Sequence, residues 1–171
     1  MQYNVAQLLK DPIGATRAYA VQADITHLDP ALLAVRPLVG DVRFLRTRAG
    51  ILVQGVLWTE VHLTCSRCQE PMVARLELQL EEEFRPTIDV LTGRKLVMDE
   101  EDQALWIDAH HTLDLTEVVR QGLLLAIPMR PLCRPDCKGL CPMCGQNWNE
   151  GPCDCAEVEG DSRWAILKRL L

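Results

Sequence analysis

The sequence predicts an α+β fold, in which an antiparallel sheet packs against one main helix and a cysteine-rich segment follows at the C-terminal end. Apolar and polar residues alternate along residues 51–64 and again along residues 73–84, a pattern typical of strands that bury one face. Over residues 114–127, apolar residues recur instead at helical spacing. The next stretch, residues 129–156, holds six of the eight cysteines and shows almost no periodicity.

The first third of the chain gives weaker signals. Residues 4–10 predict a short helix that ends before Pro12, and residues 15–25 are compatible with a strand. Residues 39–47 predict an extended strand, and residues 49–50 predict the turn after it.

The two clearest strands are expected to form a hairpin. Residues 51–64 carry their apolar side chains at odd positions, and residues 73–84 carry theirs at even positions. Such neighbours predict an antiparallel pair with one face in water. Residues 85–103 contain an acidic run and are expected to form a solvated loop. One more short strand is predicted over residues 105–109.

The main helix has recognisable ends. Asp114 is expected to cap its N-terminus, with Glu117 three residues on as in a capping box, and Pro128 stops it. Its apolar residues extend beyond one stripe, which predicts burial on more than one side. A final short helix is predicted over residues 163–171.

Length and composition indicate one globular unit. The chain has 171 residues, of which 48% are hydrophobic and 25% charged, and these values exclude global disorder. We expect residues 1–128 to form the sheet-and-helix core, and residues 129–171 to pack on the same domain. The net charge of −6 argues against a protein that mainly coats nucleic-acid phosphates. With no secretory signal and no membrane-spanning segment recognisable, we expect a cytoplasmic location.

The cysteines are the most informative residues. In a reducing compartment, closely paired cysteines bind metal or perform redox chemistry more often than they form disulfides. The eight are Cys65, Cys68, Cys133, Cys137, Cys141, Cys144, Cys153 and Cys155.

Two of the pairs have the C-x2-C spacing that places two thiolates on one edge of a zinc tetrahedron. Cys65 and Cys68 would lie at the tip of the predicted hairpin. Cys141 and Cys144 are followed by Gly145, which can adopt a positive φ and turn backbone N–H groups toward the sulfurs. These spacings predict zinc as the cofactor.

Two arrangements of the ligands are compatible with the spacing. In the favoured one, the pair at 65 and 68 shares one ion with Cys133 and Cys137, and the last four cysteines bind a second ion. In the other, four of the six C-terminal cysteines form one site and the pair at 65 and 68 stands apart. If both sites are fully thiolate, no position is left for water, which is the structural type of zinc.

Signatures of enzymes are missing from the sequence. There is no H-E-x-x-H, phosphate-binding loop, dinucleotide-binding motif or G-x-S-x-G, and no zinc deaminase pattern. His110 and His111 are expected at the surface, because neighbours on a strand point to opposite faces. A dithiol redox protein that uses Cys65 and Cys68 remains an alternative.

The sequence resembles the YceD family over most of its length. The residues that carry the resemblance are Cys65-Ser66-Arg67-Cys68, Asp114-Leu115, Pro128-Met129, Pro131-Leu132-Cys133, Cys137-Lys138-Gly139-Leu140-Cys141-Pro142, Cys144-Gly145, Asn147, Asn149, Cys153 and Cys155. The resemblance implies a role in the accumulation of large-subunit ribosomal RNA, hence in ribosome biogenesis. Some members lack the distal cysteines, which supports the favoured arrangement and implies one ancestral site and one dispensable site.

The predicted function is therefore a non-enzymatic ribosome-assembly factor with structural zinc. Its expected partner is a pre-ribosomal large-subunit particle or an assembly protein, with no membrane and no small-molecule substrate. Direct RNA contact is left open, and a zinc-ribbon-like nucleic-acid binder is a further alternative. The candidate contact residues, which cluster in sequence around the first predicted site, are Arg67, Arg130, Arg134 and Lys138.

Overall fold

The computed structural model of the protein describes residues 1–96 and 100–155. It has the α+β fold that the sequence predicts, with mostly antiparallel strands, few helices and a cysteine-rich C-terminal segment. In chain order the elements are β1 (Gln2–Asn4), α1 (Ala6–Lys10), β2 (Thr16–Ala23), β3 (Leu38–Arg46), β4 (Ile51–Thr64), β5 (Pro71–Pro86), a 3-10 turn (Glu100–Leu105), β6 (Trp106–Ile107), β7 (Thr112–Asp114) and α2 (Thr116–Ala126).

Within residues 1–96 and 100–155, five strands form the main sheet in the order β2-β3-β4-β5-β6. The first four are antiparallel neighbours, whereas the short β6 runs parallel to the end of β5. A separate two-stranded sheet pairs β1 with β7 and so ties the start of the chain to the strand that leads into α2. None of the described helices is long and apolar enough to cross a membrane.

The hairpin of β4 and β5 is confirmed, and it positions the first pair of cysteines. Ile51 lies opposite Phe84 at one end, and Thr64 lies opposite Pro71 at the other. The odd positions of β4 and the even positions of β5 supply the buried face, as the alternation predicts. The tip of this long hairpin is therefore residues 65–70.

The start of α2 differs from the prediction. The helix begins at Thr116 with Leu115 as its N-cap residue, because Asp114 is still paired with Gln2 in the small sheet. The Asp114 carboxylate nevertheless accepts the Thr116 N–H at 2.9 Å. The expected capping box is wrong, since the Glu117 carboxylate accepts hydrogen bonds from the Arg120 side chain and not from the cap backbone.

The expectation that α2 is buried on more than one side is confirmed in part. Val119 and Leu123 are buried, whereas Leu125 is 86% exposed. The described helix packs on the core face of β5, where Gly122 lies against Leu78. Val118 and Leu124 are partly buried against the same core, so Leu125 is the one large apolar side chain of the described helix that is exposed.

Other differences concern short elements. Residues 2–4 form a strand and the N-terminal helix begins only at Ala6. Within the predicted strand over 105–109, only Trp106–Ile107 is extended. The predicted helix over residues 163–171 lies outside the described residues, and the division into residues 1–128 and 129–171 stays a prediction.

Candidate metal centres

The eight cysteines form two groups of four. The first cysteine group comprises Cys65, Cys68, Cys133 and Cys137, and the second cysteine group comprises Cys141, Cys144, Cys153 and Cys155. Within each group all four sulfur atoms lie within 4.8 Å of one another, so each group could hold a metal ion. This grouping is the arrangement that the spacing favours.

The first cysteine group joins two distant parts of the chain. The Cys65 and Cys137 sulfurs are 3.8 Å apart, and those of Cys68 and Cys133 are 3.6 Å apart. Two of these residues come from the β4–β5 tip and two from the segment after α2. Three of the four are buried and Cys133 is exposed, so the group closes a small core of its own beside Met72 and other apolar side chains.

The tip of the hairpin has a backbone geometry suited to metal ligation. Cys65 N donates to Glu70 O, and Gln69 N donates back to Cys65 O, both at 2.9 Å. The residue that follows Cys68 must turn sharply to allow this, and Gln69 does so at φ 58. The backbone N–H groups of Arg67 and Cys68 in this turn are directed at the Cys65 sulfur.

The second C-x2-C turn repeats this geometry. Cys141 N donates to Gln146 O at 2.8 Å, and Gly145 N donates to Cys141 O at 2.9 Å. Gly145 has φ 75, the positive value that the sequence predicts for it. In the first turn, Gln69 occupies the position that Gly145 has in the second. The Gln69 backbone is strained there, because the left-handed region is unfavourable for residues with a Cβ.

Donors outside the cysteines point at the sulfurs. The Asn149 side-chain amide donates to Cys137 Sγ at 3.3 Å. The Trp148 indole N–H donates to Cys153 Sγ, and the Met143 backbone N–H donates to Cys141 Sγ, both at 3.4 Å. Hydrogen bonds of this kind favour the thiolate over the thiol. The sequence predicts the backbone donor, whereas the two side-chain donors lack any signal beyond their place in the C-terminal motif.

The pKa values of the thiols diverge within each group. Backbone N–H groups of Cys68 and Cys133 lower the pKa of Cys65 to about 6. In the second group, the Trp148 indole, with the Cys155 backbone, lowers the pKa of Cys153 to about 6.

Other thiols in the same groups are harder to ionise. Shielding from water and the neighbouring sulfurs raise the pKa of Cys133 to about 12. A hydrogen bond to Cys144, together with shielding, raises the pKa of Cys155 to about 12. Four crowded sulfurs cannot all carry charge by themselves, but a bound dication would make every thiolate favourable.

The four candidate contact cations are all exposed, and three of them lie close to the cysteines. Arg67 donates to Cys137 O at 2.8 Å. Arg134 and the Lys138 backbone N–H both donate to Asn149 Oδ1, at 2.7 and 2.9 Å. Their role in partner contact stays a prediction.

An open groove of about 1170 Å³ runs between the two cysteine groups. Arg67 and Lys138 line it, as do Met143, which is 65% exposed, and Trp148, which is 36% exposed. Asp136 and other acidic or apolar residues complete its walls. The groove thus presents two candidate cations beside apolar surface.

The adjacent histidines His110 and His111 belong to neither cysteine group. They occupy the turn between β6 and β7, which Asp108 holds by accepting the N–H groups of His110 and Thr112. The strand argument for their placement is therefore wrong, although His110 is exposed as expected. His111 has φ 60 and a buried Nδ1 without a partner among the described residues.

The surroundings of Cys65 and Cys68 differ from those of a thioredoxin-like dithiol. That motif lies between a strand and a helix. Here the pair lies between β4 and β5, and two further sulfurs lie within contact of it.

Comparisons with known proteins are consistent with this picture. The family model described as "Large ribosomal RNA subunit accumulation protein YceD" matches residues 53–171. An uncharacterized protein of Mycobacterium tuberculosis is 33% identical over 131 residues, which cover 77% of this chain and 60% of the relative. The chain therefore spans less than two thirds of the length of such curated relatives.

Two relatives with lower identity add information: one has a functional name, and the other is matched over most of its own length. The Arabidopsis thaliana protein "Large ribosomal RNA subunit accumulation protein YCED homolog 1, chloroplastic" is 28% identical over 155 residues, covering 78% of this chain and 48% of that protein. An uncharacterized protein of Bacillus subtilis is 26% identical over 154 residues, covering 88% of this chain and 80% of its own length. No solved structure matches the chain significantly.

Proposed function

Because the chain belongs to the YceD family of large ribosomal RNA subunit accumulation proteins, we propose that it is a non-enzymatic factor in the assembly of the large ribosomal subunit. The observation that carries the proposal is the family match, which spans residues 53–171 and includes all eight cysteines. The proposed role is to support accumulation of large-subunit ribosomal RNA, and the proposed location is the cytoplasm, where thiols stay reduced.

Zinc is the metal that fits the two cysteine groups best. A tetrahedral ion with Zn–S bonds of about 2.3 Å separates its sulfurs by about 3.8 Å. The separations of 3.8 Å and 3.6 Å in the first cysteine group agree with that spacing. Thiolate ligands favour zinc over hard cations such as magnesium or calcium.

The proposed zinc ions stabilise the fold and take no part in catalysis. Four cysteine ligands per ion leave no coordination position for water or substrate. The ion would then hold the hairpin tip against the segment after α2, and metal-binding free energy would become folding free energy.

A metal assay tests this part of the proposal. We expect about two zinc ions per chain in protein purified without oxygen, and protected thiols that become reactive when a chelator is added. Protein without metal and with freely reactive thiols would contradict zinc binding and favour a dithiol redox function of Cys65 and Cys68.

The net negative charge of this chain favours contact with the pre-ribosomal particle through a ribosomal or assembly protein, or through one small basic patch of this chain. Eight thiolates and two zinc ions would take the formal net charge from −6 to −10. Such a chain is repelled by bare RNA at long range, and non-specific RNA binding depends on counterion release by clustered cations. We therefore expect weak affinity for protein-free ribosomal RNA.

Sedimentation of the tagged full chain with large-subunit precursors tests the function. Co-sedimentation is expected, and it should weaken when Arg67, Arg130, Arg134 and Lys138 are replaced by alanine if these cations make the contact. Arg43→Ala is the matched control, because Arg43 is an exposed arginine on β3, in a different part of the sequence from the cysteines. Tight, steeply salt-dependent binding to protein-free RNA would instead favour a zinc-ribbon-like nucleic-acid binder.

A further inference from the structure

The strands β2 and β5 each leave an edge of the main sheet largely unpaired in the described part of the chain, and they differ in how many charged side chains protect that edge. Beyond its pairing with β6 at Arg85 and Pro86, β5 leaves its outer edge open among the described residues, and that strand carries several exposed charges. In the described chain β2 pairs with β3 alone, and its only charged residue is Arg17. Charged side chains protect an edge from pairing with another strand, so β2 is the unprotected edge.

Hydrogen bonds just before the first residue of β2 show which of its backbone groups face outward. Arg46 N donates to Ala15 O, and Gly14 N donates to Arg46 O, both at 2.8 Å. Because bonded and non-bonded positions alternate along an antiparallel pair, the odd-numbered residues of β2 bond to β3. The even-numbered residues therefore direct their N–H and C=O groups toward the free edge. They are Thr16, Ala18, Ala20 and Gln22.

The side chains along this edge leave room for another strand. Ala18, Ala20 and Gln22 are exposed and uncharged, and the run from residue 18 to 23 contains no proline or glycine. A cleft of about 390 Å³ lies beside the second half of β2, between it and the start of β1. Tyr3 packs against Tyr19 with ring centroids 5.0 Å apart and the ring planes inclined by 54°, and this contact holds β1 over the core face of the sheet.

We propose that β2 pairs with β2 of a second copy of this chain, in antiparallel orientation about a two-fold axis at Ala20. The outward groups of β2 lie at even positions, so Ala20 would lie opposite Ala20, and Ala18 opposite Gln22, as hydrogen-bonded pairs. Two five-stranded sheets would then become one continuous sheet.

The charges of β2 suit pairing with itself. In this register Arg17 lies opposite Ala23 and next to Asp24 of the second copy. The two copies of Arg17 are six positions apart along the pair, which is about 20 Å and beyond the Debye length at physiological salt. No like charges face each other, and the short edge predicts a modest interface with a dissociation constant on the order of micromolar or weaker.

Charge substitution at the two-fold axis tests the register. Ala20→Lys or Ala20→Glu would place two like charges opposite each other only in the dimer, because this side chain is exposed in the single chain. Each variant alone should dimerise roughly fivefold more weakly, and an equal mixture of the two should regain or exceed the original affinity. Ala18→Lys is the matched control, since it would face Gln22 and should change the affinity much less. Sedimentation equilibrium of the full 19.3 kDa chain measures the constants.

Hydrogen exchange gives a second measurement that does not depend on the variants. The amides of Ala18, Ala20 and Gln22 should become protected as the protein concentration rises. A chain that stays monomeric at every soluble concentration would overturn the proposal. So would a dimer that ignores the charge variants, or edge amides whose protection is independent of concentration, which would mean that the chain covers its own edge.

Discussion

Two residues in the left-handed backbone region close the two cysteine turns, and only one of them is glycine. Gln69 has φ 58 and Gly145 has φ 75, and each donates its N–H to the first cysteine of its turn. The glycine signals the turn in the sequence, whereas glutamine gives no such signal. The tip of the hairpin could be placed from its C-x2-C spacing, but its strain could not.

Substitutions at these two positions should have opposite effects. Gln69→Gly should raise the free energy of unfolding by about 0.5–1 kcal/mol, because glycine adopts positive φ without steric cost. Gly145→Ala should lower it by about 1 kcal/mol, since open space around Gly145 leaves backbone strain as the only cost. Urea unfolding of the metal-loaded chain measures both.

A matched control separates backbone strain from metal binding. Gly93 also has positive φ, at 69, and open space around it, but it lies outside both cysteine turns. Gly93→Ala should lower stability by a similar amount and leave the rate of zinc loss to a chelator unchanged, whereas Gly145→Ala should increase that rate. Equal rates in the two variants would contradict the role assigned to the turn.

A second residue-scale prediction concerns Arg120, whose side chain fastens α2 to the loop after β2. Its guanidinium contacts Asp29 at 3.0 Å and Glu117 at 2.7 Å. Hydrogen bonds from Arg120, and then from Gln121, lower the pKa of Glu117 from 4.5 to about 2. A carboxyl with a lowered pKa in the folded state stabilises the fold above its unfolded pKa and loses that effect as the pH falls.

The difference in unfolding free energy between the natural chain and Arg120→Ala should therefore be larger at pH 6 than near pH 3. The comparison is made between two variants, so loss of metal in acid affects both and cancels. Lys10→Ala, at an exposed position of α1, is the control and should show no such trend. A difference that is constant with pH would contradict the assignment.

At the scale of elements, length decides what the sequence can predict. The strands β4 and β5 have 14 and 16 residues, so the two-residue alternation is unmistakable and predicts their pairing. The strands β1, β6 and β7 have two or three residues, which is too few for any period. The pairing of β1 with β7 is also why the helix start was misplaced, since Asp114 belongs to a strand that only tertiary contact creates.

The contact between α2 and β5 depends on a glycine within the helix. A Cβ on Gly122 would lie 2.5 Å from Leu78 Cδ1. Gly122→Leu should therefore lower the free energy of unfolding by about 1–3 kcal/mol through overpacking, although leucine has the better helix propensity. Adding Leu78→Ala should recover part of the loss, and thermal or urea unfolding of the double-mutant cycle measures the coupling.

Leu125→Phe is the control for this prediction, because it adds bulk at a position of the same helix that is 86% exposed. It should leave stability within about 0.5 kcal/mol of the natural chain. A Gly122→Leu variant as stable as the control would show that α2 can move away from the sheet without cost.

For the whole molecule, the sequence favours one grouping of the cysteines without fixing it, and it does not predict what surrounds each group. Spacing alone left two arrangements, and the fold selects one because the β4–β5 tip lies beside the segment after α2. The contributions of Asn149 and Trp148 could not be foreseen, since an amide or indole near a sulfur follows from the folded loop and has no fixed spacing.

The two cysteine groups should therefore differ in what their loss does to the molecule. The first joins residues as far apart as Cys65 and Cys137, which are 72 positions apart, whereas the second lies within residues 141–155. If the proposed zinc ions are bound, Cys65→Ser should remove one of them, expose Cys133 and Cys137 to alkylation, and lower the melting temperature of the whole domain. Cys144→Ser should also remove one ion and expose its own group, but the melting of the sheet should change little, because that site constrains only a local loop.

Circular dichroism during heating, with mass spectrometry of alkylated peptides and zinc analysis, distinguishes these outcomes. Cys144→Ser serves as the matched control for Cys65→Ser, since both remove one thiolate from a four-sulfur group. Unchanged labelling of Cys133 and Cys137 after Cys65→Ser would refute a shared ion. Equal losses of melting temperature in both variants would mean that the second site supports the sheet as much as the first, and the 141–155 segment would then have to be part of the folding unit and not an addition to it.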